Sequence, residues 1–167
     1  MYVQDHPLND TTKKIVENLV AMSVKYPNNV VFLQNYDMQI GAALTRGSDI
    51  WLNNPRRPKE ASGTSGMKAA INGVLNMSIL DGWWPEACNH GVNGWQFGDG
   101  FESADEGELD AHDLKALYNV LLNEVIPTYY ENKKKWVEMM QASIKYCKVQ
   151  FSVLRMLEEY YEKLYTA

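Results

Sequence analysis

The chain has 167 residues, 46% hydrophobic and 22% charged, which is enough for one domain with a real core and ordinary for a soluble globular protein. Its net charge of −5 leaves no basic face for neutralising nucleic-acid phosphates or for adsorbing to an anionic membrane surface. No run approaches the roughly 18 apolar residues of a membrane span, and the opening MYVQDHPLND lacks the basic and apolar halves of a signal peptide.

In chain order, Asn9 or Asp10 can cap a helix over about 11–25, where Ile15, Val16, Leu19, Val20 and Met22 recur at helical spacing. YPNN stops it. The apolar run VVFL at 30–33 follows a turn and suits a buried strand of a parallel sheet. A second helix is expected over 37–46, ended by Gly47, and DIWL at 49–52 reads as the next strand. After the polar, proline-punctuated loop NNPRRPKEASG, a third helix should start near Thr64 or Ser65 and run to about 74, with MSIL at 77–80 as a third strand. This β-α-β-α-β order with short connections predicts an α/β fold with a Rossmann-like parallel sheet covered by helices. The segment 81–100 is rich in Gly, Trp and Asn and reads as structured loop; beyond Ser103 the apolar stripes are helical to the end. The expected organisation is one domain, a Rossmann-like part over 1–100 and a helical part over 101–167. Helix and strand open almost at residue 1, so the chain reads as beginning partway through a sheet, as a piece of a larger protein.

One stretch carries chemistry. EASGTSGMKAAING, residues 60–73, places Lys68 one turn beyond a loop containing Gly63 and Gly66 with Thr64 and Ser65 between them. In a doubly wound sheet, ligands sit at the carboxyl ends of strands beside helix N-termini, where free N–H groups and the helix dipole favour an anion. Lys68 lies three residues after Ser65, on the same side of the helix start. The spacing fits neither the P-loop pattern nor G-x-G-x-x-G. The residues alone leave open a ligand site and a capped helix with a solvated lysine.

EASGTSGMKAAIN resembles the pyridoxal-phosphate attachment motif of the glycogen and α-glucan phosphorylases, matched at Glu60, Ala61, Ser62, Gly63, Ser65, Met67, Lys68 and Asn72. Ile71 departs mildly, since leucine or methionine is usual there. The wording TSGMK is similar to the short bacterial and archaeal members. VVFLQNYDM, DIWLNNPRRP, LNMSILDGWWPEA, NGWQFG, VIPTYY and FSVLRMLEEYYEKLY resemble successive blocks of the same family, in the same order, over nearly the whole chain.

The resemblance implies the C-terminal domain of a GT-B enzyme, in which two Rossmann-like domains face across a cleft. Its reaction is reversible phosphorolysis of α-1,4-glucan ends to α-glucose 1-phosphate, with pyridoxal 5′-phosphate anchored as an imine and its phosphate transferring protons. Carried over residue by residue, Lys68 is the catalytic, cofactor-anchoring lysine, a tether rather than a nucleophile toward sugar. Thr64 and Ser65 hold the cofactor phosphate, largely through backbone N–H groups, and Tyr36 lies near the cofactor. Glu60 accepts hydroxyls of the glucose, with Ser62 and Gly63 on the same sugar. The family's substrate-phosphate arginine and lysine fall upstream of this chain, and the opposite wall of the cleft belongs to a missing N-terminal domain. The chain alone is therefore expected to be inactive. The last helix crosses back to that domain in this architecture, so the stripe from Phe151 to Tyr165 is partly interface and invites self-association when bare.

Other residues read more plainly. Arg56 and Arg57 are either a solvated turn held by Pro55 and Pro58 or contacts to substrate phosphate. Trp83 and Trp84 either stack on sugar or anchor a loop to the core. His6, His90 and His112 share no spacing, and Cys88 and Cys147 form no metal-type pair; two free thiols in a cytoplasmic protein are expected. ENKKKW at 131–136 is a solvated helix face. Two other functions compete: a nucleotide-sugar glycosyltransferase domain, which needs no imine-forming lysine, and a non-catalytic carbohydrate-binding or regulatory module.

Overall fold

The computed structural model describes residues 10–166. They form two compact units, the first ending at Ala42 and the second running from Ala43.

In the first unit, α1 spans Asp10–Lys25 and is closed by a turn in which the Val30 N–H donates to the Tyr26 carbonyl. Asn9, one of the two expected caps, lies outside the described residues. The expected strand at 30–33 is absent: these residues have no regular secondary structure and Val31 is 66% exposed. A four-residue apolar run becomes a strand only where a neighbouring chain completes its ladder, and none of the described strands pairs with it. Asp37 caps α2 (Met38–Gly47), its carboxylate accepting from the Ile40 N–H at 2.8 Å. The bare Gly41 admits the Tyr36 ring, whose hydroxyl would lie 2.2 Å from a Cβ built there.

The second unit holds a three-stranded parallel sheet in the order β1-β2-β3. β1 (Ile50–Asn53) leads through α3 (Thr64–Ile71) to β2 (Leu75–Ile79). The short α4 (Trp84–Ala87) then precedes β3 (Gly94–Phe97). Ile50 pairs with Leu75, Asn53 with Ser78, Asn76 with Gly94 and Ile79 with Phe97. The first two strands sit within one or two residues of their expected bounds. β3 lies inside the segment read as loop, because four residues flanked by glycines are too few to show a period. Its outer edge is plugged by its own preceding loop: the Gly91 N–H donates to the Gly94 carbonyl and the Gln96 N–H to His90 Nδ1.

The rest is helical: α5 (Glu106–Val120), α6 (Ile126–Glu131), α7 (Lys133–Gln150) and α8 (Val153–Tyr160). Between α5 and α6 the chain widens into a π turn over Leu121–Val125, and a second follows α8 over Tyr161–Tyr165. In the first the Ile126 N–H donates to the Leu121 carbonyl, just before Pro127, which has no N–H of its own.

β2 is the central strand and buried throughout. Leu75, Met77 and Ile79 join Trp95, Phe97, Leu117, Val120, Trp136 and Met139 in the main core. The alternate residues of β2 are Asn76 and Ser78, also buried, at positions where a strand covered on both faces normally carries apolar side chains. Ala70, Trp83, Trp84, Ala87 and Cys147 form a second cluster, edged by Cys88. Both cysteines are free, and burial pushes the Cys88 thiol up to about 12 and the Cys147 thiol up to about 11. Along α8 no residue is buried, and Leu154 is 74% exposed. Among the described residues no helix is long and apolar enough to cross a membrane.

Candidate functional site

The loop that leaves the carboxyl end of β1 is held at both ends. Toward the turn after β2, the Glu60 N–H donates to Asp81 Oδ2 at 2.9 Å and the Trp83 N–H to the Ser62 carbonyl at 2.8 Å. Gly82 makes this closure possible, since a Cβ there would stand 2.6 Å from the Ser62 oxygen at a φ of +58°. On the other side Arg56 and Lys59 reach α5. Arg56 forms a forked pair with Asp110 (Nε–Oδ1 2.9 Å, Nη2–Oδ2 2.6 Å) and a further pair with Glu106, which also receives Lys59 at 3.1 Å. The more buried Arg57 donates to the Phe101 carbonyl and lies 3.9 Å from Asp113. The hydrogen bond from Arg56 holds the Asp110 carboxyl below its ordinary range, and Asp110 raises Arg56 in turn.

Arg56 is exposed, Arg57 opens a turn with Pro58, and three carboxylates spaced i, i+4 and i+7 along α5 engage the pair. That spacing was visible in the sequence, but nothing local links residue 56 to residue 110.

At the end of the loop Gly63 adopts φ +86° and serves as the N-cap of α3 without any side-chain cap. The N–H groups of Thr64 and Ser65 find no acceptor among the described residues. Lys68 is exposed, one turn on, and its amine has no ion pair or hydrogen bond among them. The Glu60 carboxylate is likewise unpaired, with Oε1 3.2 Å from a Cβ built on Gly63. Glu60, Ser62, Gly63, Thr64, Ser65 and Lys68 are thus brought together around one helix start. Tyr36 belongs to the first unit. The donor set suits a ligand bearing a phosphate and an electrophilic carbonyl; the carboxylate suits hydroxyls.

Beneath the helix start, Gly66 is buried against Asn76 and Trp83. A Cβ there would stand 2.7 Å from Asn76 Oδ1 and 2.9 Å from Trp83 Nε1. Asn76 Nδ2 donates to the Gly66 carbonyl at 3.0 Å, while Asn76 Oδ1 is buried with no partner. Sequence reasoning passed over Asn76, which fell one residue before the strand expected at 77–80 and lies inside the observed one. Trp83 and Trp84 are 4% and 1% exposed and anchor the turn to the core.

A sequence model of the carbohydrate phosphorylase family matches residues 11–105. The chain belongs to that family. It is 47% identical over 163 residues to the maltodextrin phosphorylase of Thermococcus litoralis, covering 96% of this chain and 20% of that protein. The glycogen phosphorylase of Aquifex aeolicus is 45% identical, with 96% and 24% covered, and that of Mycobacterium tuberculosis 39%, with 97% and 20%. The chain therefore spans about a fifth to a quarter of the length of these relatives. Among solved structures, Anabaena Alr3699/HepE in complex with UDP superposes with a TM-score of 0.66 at 17% identity, covering 95% of this chain and 38% of that one. Its complex with UDP-glucose gives 0.60 at 16% identity, covering 96% and 38%. At that identity the likeness concerns the fold, a Rossmann-like domain of the GT-B type followed by helices.

The two described histidines have structural partners, and His6 lies outside the described residues. His90 Nε2 lies 2.7 Å from Glu124, and His112 stacks on Phe101 between Asp99 and Asp113. No group of three metal-binding side chains occurs among the described residues. Lys133 sits over the Tyr129 ring and Lys134 lies near Glu138, on an exposed face of α7.

Proposed function

We propose that this chain is the cofactor-bearing, C-terminal portion of an α-glucan phosphorylase, which cleaves α-1,4-glucan ends with phosphate to give α-glucose 1-phosphate. The observation that carries the reading is the uncapped start of α3, with two free N–H groups, an unpaired lysine one turn on and an unpaired carboxylate beside it. Pyridoxal 5′-phosphate fits this donor set. Lys68 would hold it covalently through its amine, and the Thr64 and Ser65 N–H groups would bind its phosphate at the positive end of the helix dipole. When bound, the cofactor supplies a phosphate that titrates near neutral pH and so serves proton transfer.

The remaining residues act on the sugar. Glu60 accepts from glucose hydroxyls, held in place by the Asp81 bond to its own N–H. Ser62 and Gly63 backbone groups face the same sugar, and Tyr36 is a cofactor neighbour. The 1–100 part supplies this site; the helices of 101–167 brace its loop through α5. Catalysis requires the opposite wall of the cleft to bring glucan, phosphate and cofactor together, so the chain alone is inactive and its natural partner is the rest of the same enzyme. The bare apolar face of α8 makes self-association a further expectation in its absence, and the cytoplasm is the proposed location.

The test is an absorbance spectrum of the chain mixed with pyridoxal phosphate, before and after borohydride, with peptide mapping. Selective trapping on Lys68, lost in Lys68→Ala, is expected. Labelling spread over surface lysines, or glucose 1-phosphate formation by the isolated chain, contradicts the reading.

A further inference from the structure

The buried amide of Asn76 has no part in the motif that suggests cofactor binding, yet it reaches that motif from the sheet. Two facts about it conflict with a purely structural role. It is the second residue of β2, the strand buried throughout, and is itself 1% exposed, where an aliphatic side chain would pack without loss. Its Oδ1 is left unpartnered, which folding alone disfavours. What the amide does achieve is a 3.0 Å bond from Nδ2 to the carbonyl of Gly66, two residues before Lys68 and one after Ser65.

At Gly66 the first turn of α3 also packs closely on the sheet, with no room for a Cβ beside Asn76. The same residue that gives up its Cβ to admit Asn76 Oδ1 and Trp83 Nε1 receives the amide's hydrogen bond. Trp83 packs under Gly63 as well, 3.0 Å from a Cβ built there, and its own N–H ties down Ser62. The helix start therefore rests on a polar post from β2 and an indole floor from the turn after it. Neither Thr64 nor Ser65 has a side-chain cap to fix the turn from above.

We propose that Asn76 is a positioning residue for the cofactor site: its bond to Gly66 sets the height and rotation of the first turn of α3, and so aims the Thr64 and Ser65 N–H groups and the Lys68 amine at one ligand. The inference rests on the proposed assignment of pyridoxal phosphate to Lys68. Asn76 touches neither cofactor nor substrate and acts only through Gly66. The geometry separates function from stability. Replacing the amide by a near-isosteric aliphatic removes a buried orphan oxygen and leaves the core filled, while the turn loses its post. Ser78, on the same face two residues along, bonds only to the Ile79 carbonyl and is the matched control.

Asn76→Leu, Asn76→Ser and Ser78→Ala chains would be titrated with pyridoxal phosphate by absorbance, trapped with borohydride and melted in parallel. Asn76→Leu should weaken cofactor affinity about tenfold, the loss of one well-placed hydrogen bond's geometry, with a thermal midpoint equal to or above that of the native chain. Asn76→Ser, which cannot span to Gly66, should weaken affinity similarly and gives the reading if the leucine chain does not fold. Ser78→Ala should bind as the native chain does. Native affinity in both Asn76 variants overturns the inference and leaves the assignment of Lys68 intact. Equal weakening in Ser78→Ala overturns it too, because the face rather than the Gly66 bond would then matter. If the native chain itself is not trapped at Lys68, the assignment falls and the inference with it.

Discussion

Replacing Gly66 by alanine tests the closeness of α3 to the sheet directly. In an open helix this change stabilises by about 0.5–1 kcal/mol, because glycine loses more backbone freedom on folding. Here the added methyl would meet Asn76 Oδ1 at 2.7 Å and the Trp83 indole nitrogen at 2.9 Å, both shorter than any comfortable carbon contact. Neither neighbour has room to yield, since both are at most 4% exposed. Overpacking of this kind costs about 2 kcal/mol, so the net is a loss of about 1 kcal/mol, or roughly 2–4 °C in Tm for a chain of this size. Gly47 provides the opposite case: a Cβ there meets nothing within 4 Å, and its φ is not in the left-handed region. Gly47→Ala should be neutral or slightly stabilising. Denaturant unfolding of the two variants with an unchanged m-value is the assay. A Gly66→Ala chain as stable as Gly47→Ala would refute the close approach and everything built on it.

Three further outcomes follow from the same structure. Asp110→Asn should lower stability by about 0.5–1 kcal/mol at low salt, the discounted worth of half-exposed pairs, and by almost nothing in 1 M NaCl, measured by urea unfolding. Because the folded Asp110 carboxyl sits below its ordinary value near 3.8, its contribution is complete above that value and fades as pH falls through the depressed one; Asp110→Asn should flatten that part of the acid limb of the stability curve. Cys88 and Cys147 are raised from 9.0 to about 12 and about 11, so the unfolded thiols ionise first. Stability should fall as pH climbs above about 9, and iodoacetamide at pH 8 should leave both unlabelled until guanidinium is added.

Most helices and the first two strands of the sheet were legible because their patterns are local: apolar residues at helical spacing in α1, Gly47 at the end of α2, a run of apolar residues after a loop; the four-residue α4 fell in the segment read as loop. The α/β class followed from their alternation. What escaped notice depended on partners distant in sequence. β3 has too few residues to reveal a period, and VVFL reads the same whether or not a ladder exists to receive it. At the site, the residues of one contiguous motif were readable, and their gathering around the α3 start needed no long-range knowledge. The carboxylates that engage the arginines were not foreseen because they lie about 50 residues on. Asn76 was missed because the expected strand began one residue after it, and its amide carries meaning only once the helix above it is known.

The plug on β3 bears on how the protein behaves in concentrated solution. An unpaired strand edge is a template on which a second chain can register, and this fold has disarmed the one at β3. With the Gly94 carbonyl and the Gln96 N–H already spent on residues 90 and 91, no foreign strand can lengthen the sheet there without first unseating the His90 loop. Growth of the sheet past β3, whether useful or pathological, is thereby blocked.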